Sequence, residues 1–230
     1  VFPSASAKQF INREDVDAAM NRDVGQINYS RTVAILGVDV AREGDDRSAI
    51  ATKIGRDCTM PLKVFRGLDG PQLGMQVLMY ANELKAKGIP RVYINLDYTG
   101  VGASPYDWLK DKVQHLNKVI SASQSTNPQR WANKRAEMWD KMRDFIRDDG
   151  VIPKSEELAE DLCIPEKLID QKGRLLLESK DSMKRRGMNS PDTADALALC
   201  FAIPIQEYIE DDNWRHQRIN RHKGIRDPYA

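Results

Sequence analysis

The sequence predicts an α/β domain built on a mixed sheet, in which a three-strand antiparallel meander is followed by crossover strands and flanked by helices. Three observations carry this. Thr32 to Val38 is a near-continuous, β-branched apolar run, the signature of a strand buried on both faces. Two more strand-like runs, Ser48 to Ile54 and Leu62 to Arg66, follow it at hairpin spacing across Gly44-Asp45-Asp46 and Gly55-Arg56-Asp57. After them helical and strand patterns alternate, which asks for crossover connections.

In chain order, residues 1–31 are polar and read as a linker or arm, with a short helical candidate from Val16 to Arg22. The meander comes next. Residues 71–87 predict a helix: Pro71 suits its first turn, Leu73, Val77, Ala81 and Leu84 form one stripe, and Gly88 ends it. Arg91 to Leu96 is a fourth strand ending at Asp97, Tyr106 to Lys112 a short helix, and Asn117 to Ala122 a fifth strand. The clearest helix runs from Arg130 to Asp148, with Trp131, Arg135, Met138, Trp139, Met142, Phe145 and Ile146 at helical spacing and Gly150 as its stop. Trp131 and Trp139 read as core. A short helix is expected over Glu156 to Cys163, a strand over Gly173 to Ser179, and a last helix from Ser190-Pro191-Asp192 through Ala202. The basic run 180–186 reads as a loop, residues 32–204 as the folded domain, and residues 205–230 as a polar tail.

Composition narrows the function. The 230 residues hold 35 Lys+Arg against 34 Asp+Glu, a net charge of +1. This excludes a polycation that holds nucleic acid by bulk charge, and leaves room for an acidic cluster balanced by basic residues elsewhere. No apolar run approaches the roughly 18 residues of a membrane span. The first residues, Val1-Phe2-Pro3-Ser4, have neither the basic nor the apolar region of a signal peptide and read as the start of a fragment. Cys58, Cys163 and Cys200 lie far apart, without metal-ligand spacing, and fit a reducing compartment.

The chemistry lies in the carboxylates. Asp39 closes the first strand and Asp97 the fourth, each interrupting an apolar run, and Asp192 and Asp195 share a face of the last helix. Strand ends are where α/β sheets collect functional groups. Several buried aspartates repel one another unless a cation joins them, and all-oxygen ligands suit Mg²⁺ or Mn²⁺. Each acid also has a plainer role open to it: Asp39 and Asp97 as turn residues, Asp192 as a first-turn helix residue, Asp195 as the partner of a basic side chain.

Three segments in this order resemble the ribonuclease H-like nuclease domain of tailed-phage large terminase subunits, the DNA-packaging motors. They are Gly37-Val38-Asp39 through Ser48; Asp97 with Gly100-Val101-Gly102-Ala103; and Met183 to Gly187 with Ser190-Pro191-Asp192-Thr193-Ala194-Asp195-Ala196-Leu197. Phe2-Pro3-Ser4 with Arg13 to Ala19 is similar to that family's linker from the motor domain. The resemblance implies an endonuclease that cuts concatemeric double-stranded viral DNA with two Mg²⁺ or Mn²⁺ ions. Asp39, Asp97 and Asp192 would be its catalytic acids, with Asp195 as a further metal ligand. One of the family's paired acids is replaced by Pro191, which leaves Asp192 and Asp195 both open as the third ligand. Lys180, Lys184, Arg185, Arg186 and Arg42 would touch DNA. Partners would be the DNA, the portal ring, the small terminase subunit and an ATPase domain upstream; no GxxxxGK[ST] loop is present in these residues. The protein would work in the host cytoplasm during virion assembly and be absent from the mature virion. Two other readings stay open: a resolvase- or transposase-type nuclease of the same fold, and a docking module whose acids are structural.

Overall fold

The structure, a computed structural model, describes residues 8–41 and 47–207. Its centre is a five-strand sheet in the order β3-β2-β1-β4-β5, made of β1 (Val33–Asp39), β2 (Ser48–Ile54), β3 (Lys63–Phe65), β4 (Arg91–Asp97) and β5 (Leu116–Val119). The first three strands pair antiparallel, and β1, β4 and β5 run parallel. The meander and the crossover strands are thus as the sequence predicts, with β1 central. Both β1 and β2 are buried along their whole length, which is why they read as unbroken apolar runs.

Alternation along β1 separates two cores. Val33 and Ile35 face the side covered by α4 (Lys134–Asp148), α5 (Glu156–Cys163) and α7 (Asp192–Leu199). Ala34, Leu36 and Val38 face α2 (Gly70–Ala86) and α3 (Ala103–Leu109). The predicted stripe of α2 is buried, and its start is fixed by a reciprocal cap between Asp69 and Gln72. Trp139 is fully buried and Trp131 nearly so, as expected of core residues. The three cysteines are free. No helix among the described residues is long and apolar enough to cross a membrane.

Several expectations need correction or completion, and α4 starts at Lys134 rather than Arg130. The part of the presumed linker that is described belongs to the domain: α1 (Arg13–Asn21) buries Val16, Ala19 and Met20, and Phe10 packs edge-on against Trp139. Its apolar positions are few, so the polar composition masked them. The basic segment expected as a loop is a helix, α6 (Lys180–Arg185), started by Ser179 accepting from the Ser182 amide. The strand expected over Gly173 to Ser179 is present as β7 (Leu175–Leu177), and it pairs with one not expected, β6 (Lys167–Ile169), in a hairpin turned by Asp170 and Gly173. The last helix ends at Leu199 rather than Ala202. Beyond it the chain returns to the sheet, where the Glu207 carbonyl accepts from the Val33 amide and its carboxylate meets Lys53 at 2.5 Å. Residues 1–7, 42–46 and 208–230 lie outside the described residues, among them Arg42 and most of the expected tail.

Candidate metal and nuclease site

The site forms where β1 and β4 end together. Their parallel register runs to Val38↔Leu96, so the next residues on each strand, Asp39 and Asp97, stand side by side. Following the alternation of β1 and β4, both point to the α7 face, as does Asn95, whose side-chain amide donates to the Leu199 carbonyl at 2.8 Å. Gly37 allows α7 to lie directly on β1: a Cβ there would collide with the Ala196 carbonyl oxygen and stand 2.9 Å from the Cys200 amide. This close approach brings Asp192 and Asp195, in the first turn of α7, to the end of β1. Gly102 does the same on the other strand, since a Cβ there would strike the Asp97 carbonyl oxygen.

Lys180, the first residue of α6, completes the cluster. Its ammonium lies 3.0 Å from Asp195, 3.6 Å from Asp39 and 3.7 Å from Asp192. The sequence reading places Lys180 among the DNA contacts; here its ammonium lies among the acids. Burial alone would lower its pKa, but the Asp195 and Asp39 carboxylates outweigh that and raise it. Asp39 is raised instead: burial dominates, Lys180 opposes, and Asp195, Asp97 and Asp192 add repulsion. Asp192 is raised for the same first reason, against the pull of Lys180 and a Ser190 hydrogen bond.

Asp195 behaves differently. Burial pushes it up, yet Arg135 and Lys180, with a hydrogen bond from Trp139, bring it below the usual range. Arg135 reaches both its oxygens at 3.1–3.2 Å, and the Trp139 indole donates at 2.8 Å. Asp192 keeps weaker company, with the Arg47 guanidinium 3.8 Å away and itself paired with Glu157. The turn that carries Asp192 is fixed by Asp161, which accepts from the Thr193 amide and hydroxyl at 3.1 and 2.6 Å. Burial pushes Asp161 up to about 6 despite those bonds.

Of the expected DNA contacts, Lys184 and Arg185 are exposed on α6. Arg186 is engaged inside the domain, with Glu178 at 2.6 and 2.9 Å and the Ile164 carbonyl at 2.9 Å. Arg135, Trp139 and Asp161 were missed as parts of the site. The one signal was an arginine inside the apolar stripe of α4, where a buried cation needs a buried acid.

The donors suit a hard cation: Asp39, Asp97 and Asp192 offer only carboxylate oxygens from three separate elements. As they stand, no three acidic, His or Cys side chains among the described residues close on a single point. The Lys180 ammonium lies between three of the acids, and its side chain is 40% exposed, which gives it a way out. A cation held by these carboxylates would have to displace Lys180 from among them.

No protein-family model and no curated protein matches this chain. Solved structures do. The nuclease domain of the large terminase subunit gp2 of bacterial virus Sf6 aligns with a TM-score of 0.68 at 19% identity, over 86% of this chain and 100% of that one. A lysine-to-alanine variant of that domain with manganese gives 0.66 at 20%, over 85% and 100%. The large terminase nuclease from thermophilic phage G20c with bound magnesium gives 0.60 at 12%, over 84% and 96%. This chain therefore has the mixed-sheet, ribonuclease H-like fold of phage large-terminase nuclease domains.

Proposed function

We propose that this chain is a divalent-metal-dependent endonuclease domain that cuts concatemeric double-stranded viral DNA during genome packaging. The observation that carries the reading is the convergence of Asp39, Asp97 and Asp192 with a single lysine among them. Three carboxylates brought together from two strand ends and the first turn of α7 oppose folding, and a site that binds a cation gives them a reason to be there. Neighbours of the same fold, described with bound magnesium or manganese, support the choice of ion.

Asp39, Asp97 and Asp192 hold the cation, Mg²⁺ or Mn²⁺, in one or two positions. When bound, such ions neutralise the scissile phosphate and activate water for phosphodiester hydrolysis. Asp195 is a positioning residue: its oxygens already serve Arg135, Trp139 and Lys180, so Asp192 is the better third ligand. Lys180, displaced from the acids, offers its charge to the phosphate instead. Lys184 and Arg185 extend that contact along α6. Double-stranded DNA is the substrate; an ATPase domain, a portal ring and a small terminase subunit are the partners of a packaging motor, acting in the host cytoplasm.

The test is nicking of a supercoiled plasmid with Mn²⁺ or Mg²⁺. Wild-type protein converts it to open-circle and linear forms, EDTA stops the reaction, and Asp39→Asn or Asp97→Asn abolishes it while circular dichroism stays native. Cleavage that survives EDTA, or both variants, overturns the proposal. A preference for branched over linear duplex would move it to the resolvase class.

A further inference from the structure

Beside Asp97, on the opposite face of the sheet from α7, lies a group of side chains that the acid cluster does not use. Tyr98 follows Asp97 and donates its amide to the Val119 carbonyl at 2.7 Å. Its ring meets that of Tyr106, on α3, at 5.2 Å and nearly perpendicular. Lys118, on the edge strand β5 and paired in register with Leu96, holds its ammonium 3.7 Å from the centre of the Tyr98 ring and 5.1 Å from that of Tyr106. The lysine is exposed, and among the described residues it makes no ion pair.

Two aromatic rings at right angles form a seat for a cation. The seat orders the lysine without neutralising it, whereas a carboxylate partner would have to be displaced before an anion could bind. The ammonium also covers the Tyr98 ring, so this face is not offered to a stacking base. What remains is a pre-ordered, uncompensated positive charge one residue from a carboxylate of the proposed centre. Lys184 and Arg185 are exposed on α6, whose first residue Lys180 meets the acids, so the acids would have a second basic flank.

We propose that Lys118, seated on Tyr98 and Tyr106, binds a backbone phosphate of the DNA strand entering the acid cluster on the Asp97 side. This deepens the nuclease reading and rests on it.

The experiment is Mn²⁺-dependent plasmid nicking by wild type, Lys118→Ala, Lys118→Arg and Tyr98→Phe, from about 50 to about 200 mM KCl. Lys118→Ala should raise KM roughly two- to fivefold with kcat kept, as for one exposed charge contact. It should also reduce the slope of log KM against log salt by about 0.9, the share of one phosphate. Lys118→Arg should restore both, Tyr98→Phe should leave both near wild type because the ring stays, and thermal stability should not change. An alanine variant whose KM and salt slope match wild type overturns the phosphate contact and leaves the nuclease reading standing. So does one that loses only kcat and melting temperature, since that marks a structural lysine. A wild-type protein that does not nick at all overturns the nuclease reading, and this proposal with it.

Discussion

Two groups of buried carboxylates lie on the same side of the sheet, and they are built on opposite terms. On α4, Glu137 is fully buried, yet it accepts from the Thr126 amide and hydroxyl at 2.8 Å and meets Lys141 and Lys134 at 2.6 and 3.2 Å. Asp140, one turn on, takes the Trp131 indole at 2.8 Å and two arginines, Arg130 and Arg143, each at 2.6 Å. Each of these two acids has two cationic partners, and the result is a loop, residues 121–133, tied onto a helix. At the ends of β1 and β4, Asp39 and Asp192 share one lysine with Asp195, and Asp97 has only the Thr99 amide at 2.9 Å among the described partners. Both groups are buried acid, apart from the half-buried Asp97. The difference in compensation separates a structural joint from the proposed cation site.

Removing a carboxylate from each group should therefore have opposite consequences. Asp39→Asn should cut the rate of plasmid nicking about 1000-fold or more, because an amide is a poor ligand for a hard ion, while the melting temperature at neutral pH stays level or rises. Glu137→Ala should lose about 3 kcal/mol in urea unfolding, since it strands two lysines and a backbone amide, and whatever protein folds should keep its nicking rate. If the Glu137 variant loses activity at full stability, or the Asp39 variant unfolds with activity intact, the contrast fails.

Asp195 tests the boundary between the groups, being buried like one and compensated like the other. Asp195→Asn should lower kcat roughly 10- to 100-fold, as the loss of an orienting partner does, and raise the Mn²⁺ concentration needed for half-maximal rate. A loss as complete as that of Asp39→Asn would make it a ligand.

The mildest test is pH. Burial, opposed by Lys180, pushes Asp39 up to about 7. Its folded-state affinity for a proton exceeds that of the unfolded chain, so its contribution is full below the ordinary carboxylate range and is lost as pH rises through about 7. Glu137 runs the other way: burial raises it, but Lys141 and Thr126 bring it down to about 2. Its contribution is present above the ordinary range and lost as pH falls toward 2. Melting temperatures measured without metal should thus slope down toward alkaline pH on account of Asp39, on the order of 2 kcal/mol, and Asp39→Asn should flatten that limb alone.

How legible this was depended on the range of the interaction. β1 announced itself because a strand buried on both faces needs apolar residues at every position, and Asp39 stood out by ending that run. Asp97 was readable for the same reason. The α6 helix was not, because Lys180 to Arg185 is too short and too basic to show an apolar face; only Met183 is buried in it. Nor could Arg135 be matched with Asp195, 60 residues away, since nothing local links an arginine in α4 to an aspartate in α7. The stretch around α1 showed a short helix but not its docking on the domain, because three buried residues are all it has to offer the core. Periodicity reports what faces the core, whereas charge pairing across the fold leaves no periodic trace.

The parallel pairing of β1 with β4 has one more consequence. Because Asp39 and Asp97 stand opposite each other one position past the last paired rung of the β1–β4 ladder, Val38↔Leu96, their backbone separation follows the strand spacing of about 4.8 Å, a length set by peptide geometry and not by side-chain packing. Sequence drift in the surrounding core can tilt helices and alter volumes, but it has little purchase on that ruler. Two of the three proposed ligands would then stay in gauge while nearly everything else about the domain changes.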